Sequence, residues 1–69
     1  MRQVKITTEF IKLDQLLKFA EISQSGGESK VFIKSEEVKV NGKIATERGK
    51  KIRSGDVIEV EGFEKFSVK

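Results

Sequence analysis

Val38-Lys39-Val40-Asn41-Gly42-Lys43 is the stretch that decides the architecture. Val38 and Val40 alternate with Lys39 and Asn41, the period of two that gives a strand one apolar face. Asn41-Gly42 supplies two residues that tolerate positive φ, as a tight hairpin turn requires. Ile44 resumes the strand, and Gly55-Asp56 turns the chain into a second alternating segment, Val57-Ile58-Glu59-Val60. Between them, Thr46 to Gly55 holds no apolar residue except Ile52 and carries Arg48, Lys50, Lys51 and Arg53. The stretch reads as an ordered basic loop pinned by one buried side chain, with its charge placed where no core neutralises it.

Upstream the period lengthens. Leu13, Leu16, Leu17 and Ala20 recur at helical spacing, with Lys12, Gln15 and Lys18 off that face, so Asp14 to Glu21 is expected to be an amphipathic helix. Asp14 is its N-cap candidate, with Thr8 competing; the latter would place Phe10 and Ile11 inside the helix. Ser23 to Gly27 reads as a turn, and Ser25 with Glu28 three residues on forms a capping box. A second helix should follow, with Ser29, Val31 and Phe32 facing inward. Gly26 and Gly27 either permit a close helix crossing or leave helix-start amides free for a phosphate oxygen.

At the ends, Val4 and Ile6 suggest a first strand or extended arm, Gly62 a turn, and Phe66 with Val68 a last edge strand. Phe10, Phe19, Phe32 and Phe66 fit core patterns, leaving Phe63 as the exposed ring. The order of elements predicts an α+β fold, a two-helix hairpin packed on a small, mainly antiparallel sheet. Sixty-nine residues make one domain, 1–69, near the lower size limit for a self-sufficient core.

Composition narrows the chemistry. The chain has no cysteine and no histidine, so thiolate zinc sites, nucleophilic cysteine and the usual general base near neutral pH are missing. Glu36 and Glu37 project differently and Asp56 lies in a turn, so the carboxylates suit solvated or capping roles. No catalytic residue, metal, cofactor or small-molecule substrate is expected. With no bilayer-length apolar run and no signal-peptide core at the N-terminus, a soluble cytoplasmic protein is the default, with no membrane partner.

Net charge is only +3, yet Lys30 to Arg53 holds eight basic residues against three acidic ones. Such polarity suits a phosphate backbone, because adjacent cations contact several phosphates and arginine adds bidentate geometry. The candidate RNA-binding residues of this segment are Lys30, Lys34, Lys39, Lys43, Arg48, Lys50, Lys51 and Arg53. Few exposed aromatic rings are expected, so folded RNA suits the surface better than stacking on single strands.

Residues 11–60 resemble the S-four RNA-binding domain, also called the αL motif. The likeness runs through Lys12-Leu13-Asp14 with Leu17, then Lys30 and Ile33, Val38 to Gly42, and Gly55 to Val60. Ser25 to Lys30 and Arg48 to Arg53 are similar to the small stand-alone bacterial YaaA/YbcJ-like branch. The resemblance implies that two helices and a following hairpin present basic residues to structured RNA, often ribosomal RNA or an assembly intermediate of the ribosome. It adds Lys12 to the candidate RNA-binding residues, at a position often held by arginine, and matches Lys30 to a basic helix position, Lys39 to the strand motif, and Arg48, Lys50, Lys51 and Arg53 to the basic loop. Glu36-Glu37 stand where the family usually has glycine, and Glu47 where a basic residue is common; both lower the local potential.

A protein-interaction module of β-grasp type is the alternative, since Val-x-Val-Asn-Gly and Gly-Asp-x-Ile-x-Val also suit carrier folds. Carriers need a terminal Gly-Gly, and this chain ends Phe66-Ser67-Val68-Lys69. An adaptor docking through the helical hairpin stays open, and salt-dependent retention on RNA separates the two classes.

Overall fold

Alternation along Val38 to Val60 builds the sheet. A computed structural model describes the whole chain, Met1–Lys69, with strands β1 (Arg2–Val4), β2 (Ile11–Lys12), β3 (Val38–Val40), β4 (Lys43–Ile44), β5 (Lys51–Ile52), β6 (Val57–Val60) and β7 (Phe66–Val68). Helices α1 (Leu13–Phe19) and α2 (Gly26–Lys34) lie between β2 and β3. The main sheet has the order β1-β7-β6-β3-β4 and a separate ladder joins β2 to β5. Every main-sheet pair is antiparallel except β1 with β7. The fold is α+β, as expected.

Register explains the layering. Val38 faces Val60 and Val40 faces Ile58, all buried, while Lys39 and Glu59 pair on the opposite face. The buried face joins Leu13, Leu16, Leu17 and Ile33 of the helices in one core. Asn41 and Gly42 have φ of 53° and 85°, the positive pair that closes the β3–β4 hairpin. Asn41 also ties the hairpin to β6. Its Oδ1 accepts from the Val57 amide at 2.8 Å, and its Nδ2 donates to Asp56 Oδ1 at 3.0 Å. The two motifs that fix the sheet are therefore linked through one side chain.

Each helix ends in the same way. Glu21 and Glu36 follow the caps with φ of 62° and 60°. Glu21 and Ile22 donate to the Lys18 and Leu17 carbonyls, and Glu36 and Glu37 to those of Ile33 and Phe32. This is the Schellman pattern, which favours glycine at the left-handed position. Glu36 replaces the expected glycine yet adopts the backbone that glycine would supply.

Several expectations need correction. Val31 is 63% and Phe19 57% exposed, whereas Ser29 and Ile33 carry the inward face of α2. Phe32 is half-buried and meets the exposed Phe63 edge to face at 5.8 Å. Strand β7 is no edge, because β1 pairs along its free side. Helix α1 starts one residue before Asp14, so Lys12 holds the N-cap position and makes no side-chain cap, while Asp14 Oδ1 accepts from the Gln15 amide at 2.8 Å from within the first turn. Thr8 is not the cap either; its hydroxyl donates to the Phe10 carbonyl.

At α2 the capping box forms. Ser25 Oγ accepts from the Glu28 amide at 3.1 Å, while Glu28 Oε1 reaches one residue further back, to the Gln24 amide, at 3.2 Å. A Cβ on Gly26 would meet nothing, and one on Gly27 only the nearby Ser25 hydroxyl, so neither glycine serves a close helix crossing. The helices are joined instead by a buried polar link. Ser29 Oγ donates to the Asp14 carbonyl at 2.9 Å and shares a hydrogen bond with Ser23 Oγ.

Candidate nucleic-acid interface

The basic loop is held by backbone. Opposite β2, strand β5 pairs Ile52 with Ile11 and Lys51 with Lys12. The pattern runs on into α1, where the Leu13 amide donates to the Lys50 carbonyl at 2.8 Å and the Asp14 amide to the Arg48 carbonyl at 3.0 Å. Helix-start amides have no intrahelical partner, so loop carbonyls take the place of a capping side chain. At the far end, Asp56 Oδ2 accepts from the Arg53 amide at 2.9 Å. Ile52, fully buried, fixes the middle, in keeping with its isolation among polar residues.

This scaffold brings Lys12, Arg48, Lys50, Lys51 and Arg53 to the start of α1. Alternation sends Ile11 and Ile52 toward the core and Lys12, Lys51 and Arg53 to the outer face of the ladder. Phe10, whose sequence pattern fits core, is only half-buried. Its ring has Lys51 Nζ 4.8 Å and Arg53 Cζ 5.8 Å from its centroid.

The remaining cations are distributed more widely. Lys30 and Lys34 stand one turn apart along α2, both exposed. Lys43 and Lys50 border a concavity that also includes Glu47, so this acidic departure sits among the basic residues whose potential it lowers. Lys39 is separate. It lies on the outer sheet face beside Glu59, which is paired with Lys65, in a concavity bordered by Glu36, Glu37, Glu61 and Lys65 where carboxylates outnumber cations by two. Sequence proximity groups Lys39 with the loop, but strand alternation puts its side chain in an acidic setting.

All nine candidate cations are exposed. The one ion pair in the domain joins Lys65 to Glu59 at 3.8 Å and involves none of them. Lys12 and Lys51, directly paired across a ladder, set like charges side by side, an arrangement that weakens a sheet unless an anion offsets it. No helix is long and apolar enough to cross a membrane.

Comparison with known proteins identifies the family. A family model described as S4 domain matches residues 4–69. The chain is also similar to a protein of Bacillus subtilis (strain 168) named "Probable ribosome maturation protein RlbA", with 48% identity over 65 residues, 94% of this chain and 92% of that one. Fold, family match and the extent of the likeness together place the chain in the S4 domain family.

Proposed function

We propose that this domain is a non-enzymatic RNA-binding module that docks on structured RNA of the ribosome or of an assembly intermediate. The carrying observation is the rigid ladder at the start of α1, where Lys12, Arg48, Lys50, Lys51 and Arg53 are exposed, without ion-pair partners and anchored through main-chain hydrogen bonds. A loop already held by its backbone need not be ordered when phosphates arrive, so more of the electrostatic attraction is retained as affinity. Membership of the S4 domain family supports RNA as the polyanion, and the ribosome-maturation name of the Bacillus relative supports the ribosomal setting.

Lys30, Lys34 and Lys43 extend the contact as secondary phosphate partners in this reading. Lys39 contributes little, because the carboxylates around it repel the backbone that the ladder attracts. Contrary to the expectation of few exposed rings, Phe19 and Phe63 are exposed and Phe10 and Phe32 half-buried, but the ring at the ladder is Phe10, which carries cations rather than standing free for a base. Shape and phosphate spacing therefore dominate recognition, favouring a duplex or hairpin over an unstructured strand.

A salt titration tests the reading. Four to six phosphate contacts give a slope of log K against log salt of roughly −3 to −5. A hairpin RNA should bind more tightly than an unstructured oligonucleotide of equal length. Binding insensitive to salt, or preference for the unstructured strand, contradicts the proposal.

A further inference from the structure

The ladder contains more than charge. Continuing the β2–β5 register by one step sets Phe10 opposite Arg53 and diagonal to Lys51, on the face that carries Lys12. Three cations and one aromatic ring thus occupy a single surface, with no carboxylate paired to any of the cations. Left alone, Lys51 and Arg53 would separate to reduce their repulsion, and each long side chain would sample many rotamers. The negative face of the Phe10 ring opposes both tendencies, because each cation is attracted to the same quadrupole.

We propose that Phe10 is a positioning residue for RNA binding: its ring gathers Lys51 and Arg53 beside Lys12 into one preformed phosphate site, without itself stacking on a base. The inference rests on the RNA-binding reading above and assigns the strongest phosphate contact to this three-cation face. Arg53 supplies the planar fork and the two lysines the point charges. The anchors behind them are firm, since Ile52 is fully buried and the Arg53 amide is held by Asp56.

The experiment compares wild type, Phe10→Leu, Phe10→Trp and Lys51→Gln on one short RNA hairpin, with circular dichroism melts alongside. Leucine keeps the apolar packing and removes the quadrupole, whereas tryptophan keeps an aromatic face. Phe10→Leu is expected to weaken binding about fivefold to tenfold, because the two long side chains must then be ordered at the moment the phosphate binds. It should also make the salt slope shallower by about one phosphate contact. Phe10→Trp should restore both. Combining Phe10→Leu with Lys51→Gln should cost less than the product of the single effects, because both act on one site.

If Phe10→Leu destabilises the fold too far for the assay, Phe10→Met provides the same loss of the ring with a more adaptable side chain. Wild-type affinity in a folded Phe10→Leu or Phe10→Met protein, with Lys51→Gln still impaired, overturns the role of Phe10 and leaves RNA binding intact. Absence of RNA binding by wild type overturns the broader reading instead.

Discussion

Replacing Asn41 by alanine tests the link between the two sequence motifs that set the sheet. Alanine removes the hydrogen bond from the Val57 amide to Oδ1 and the one from Nδ2 to Asp56 Oδ1. It also places a Cβ-bearing residue with no local polar compensation at φ 53°. A typical net hydrogen bond contributes about 1 kcal/mol, and solvent at this exposed turn holds the pair to about 1–2 kcal/mol. The left-handed backbone adds about 1 kcal/mol for alanine. Asn41→Ala should therefore lose about 2–3 kcal/mol, while Asn41→Gly, which relieves the backbone, should lose about 1 kcal/mol less.

Urea denaturation followed by circular dichroism reads both variants, and the melting temperature should fall by about 4–8 °C for each kcal/mol. Equal losses for alanine and glycine would refute the backbone part of the reasoning. A loss below about 0.5 kcal/mol, the level of an ordinary surface substitution, would refute the interlock.

Other outcomes follow from the same structure. Glu36→Gly should stabilise the domain by about 1 kcal/mol, measured by urea denaturation, because glycine suits the left-handed residue that closes α2. Leu17→Ala should cost about 2–5 kcal/mol by the same assay, a large share of the stability of so small a domain, as Leu17 is fully buried in the core. Lys39→Gln should leave affinity for a hairpin RNA nearly unchanged in a binding titration, since its side chain lies beside Glu59 on the acidic outer face.

Local signals are legible in the amino-acid sequence. Asn41-Gly42, the Ser25–Glu28 cap and the valine alternation each depend on residues close in the chain, and each forms as expected. What escapes the sequence depends on distant partners. Asp14 serves the Gln15 amide but is not the N-cap of α1, because the two amides before it are taken by carbonyls of Arg48 and Lys50 from a remote part of the chain. Strand β7 reads as an edge because parallel pairing with β1 leaves no local pattern.

Helix phase is the other weak point. In α2, Ser29 takes a buried place through its hydrogen bonds to Asp14 and Ser23, which rotates Val31 to solvent despite its apolar side chain. At the candidate site, charge density alone marks Arg48, Lys50, Lys51 and Arg53. Phe10 escapes notice because an aromatic residue among apolar neighbours looks like core; only the β2–β5 register shows that it meets two cations.

The central claim is that exposed cations, rather than the fold's interior, confer RNA affinity. The most direct test is the variant Lys30→Gln, Lys50→Gln, Lys51→Gln, Arg53→Gln, measured for thermal unfolding and for binding to a hairpin RNA in parallel. All four side chains are exposed and outside any ion pair, so the variant should stay folded, with the melt lowered only by the loss of the two cation–π contacts to Phe10. Affinity should fall by about one to several kcal/mol with a shallower salt slope. A folded variant with wild-type RNA affinity would contradict the account and favour a protein-docking role for the domain.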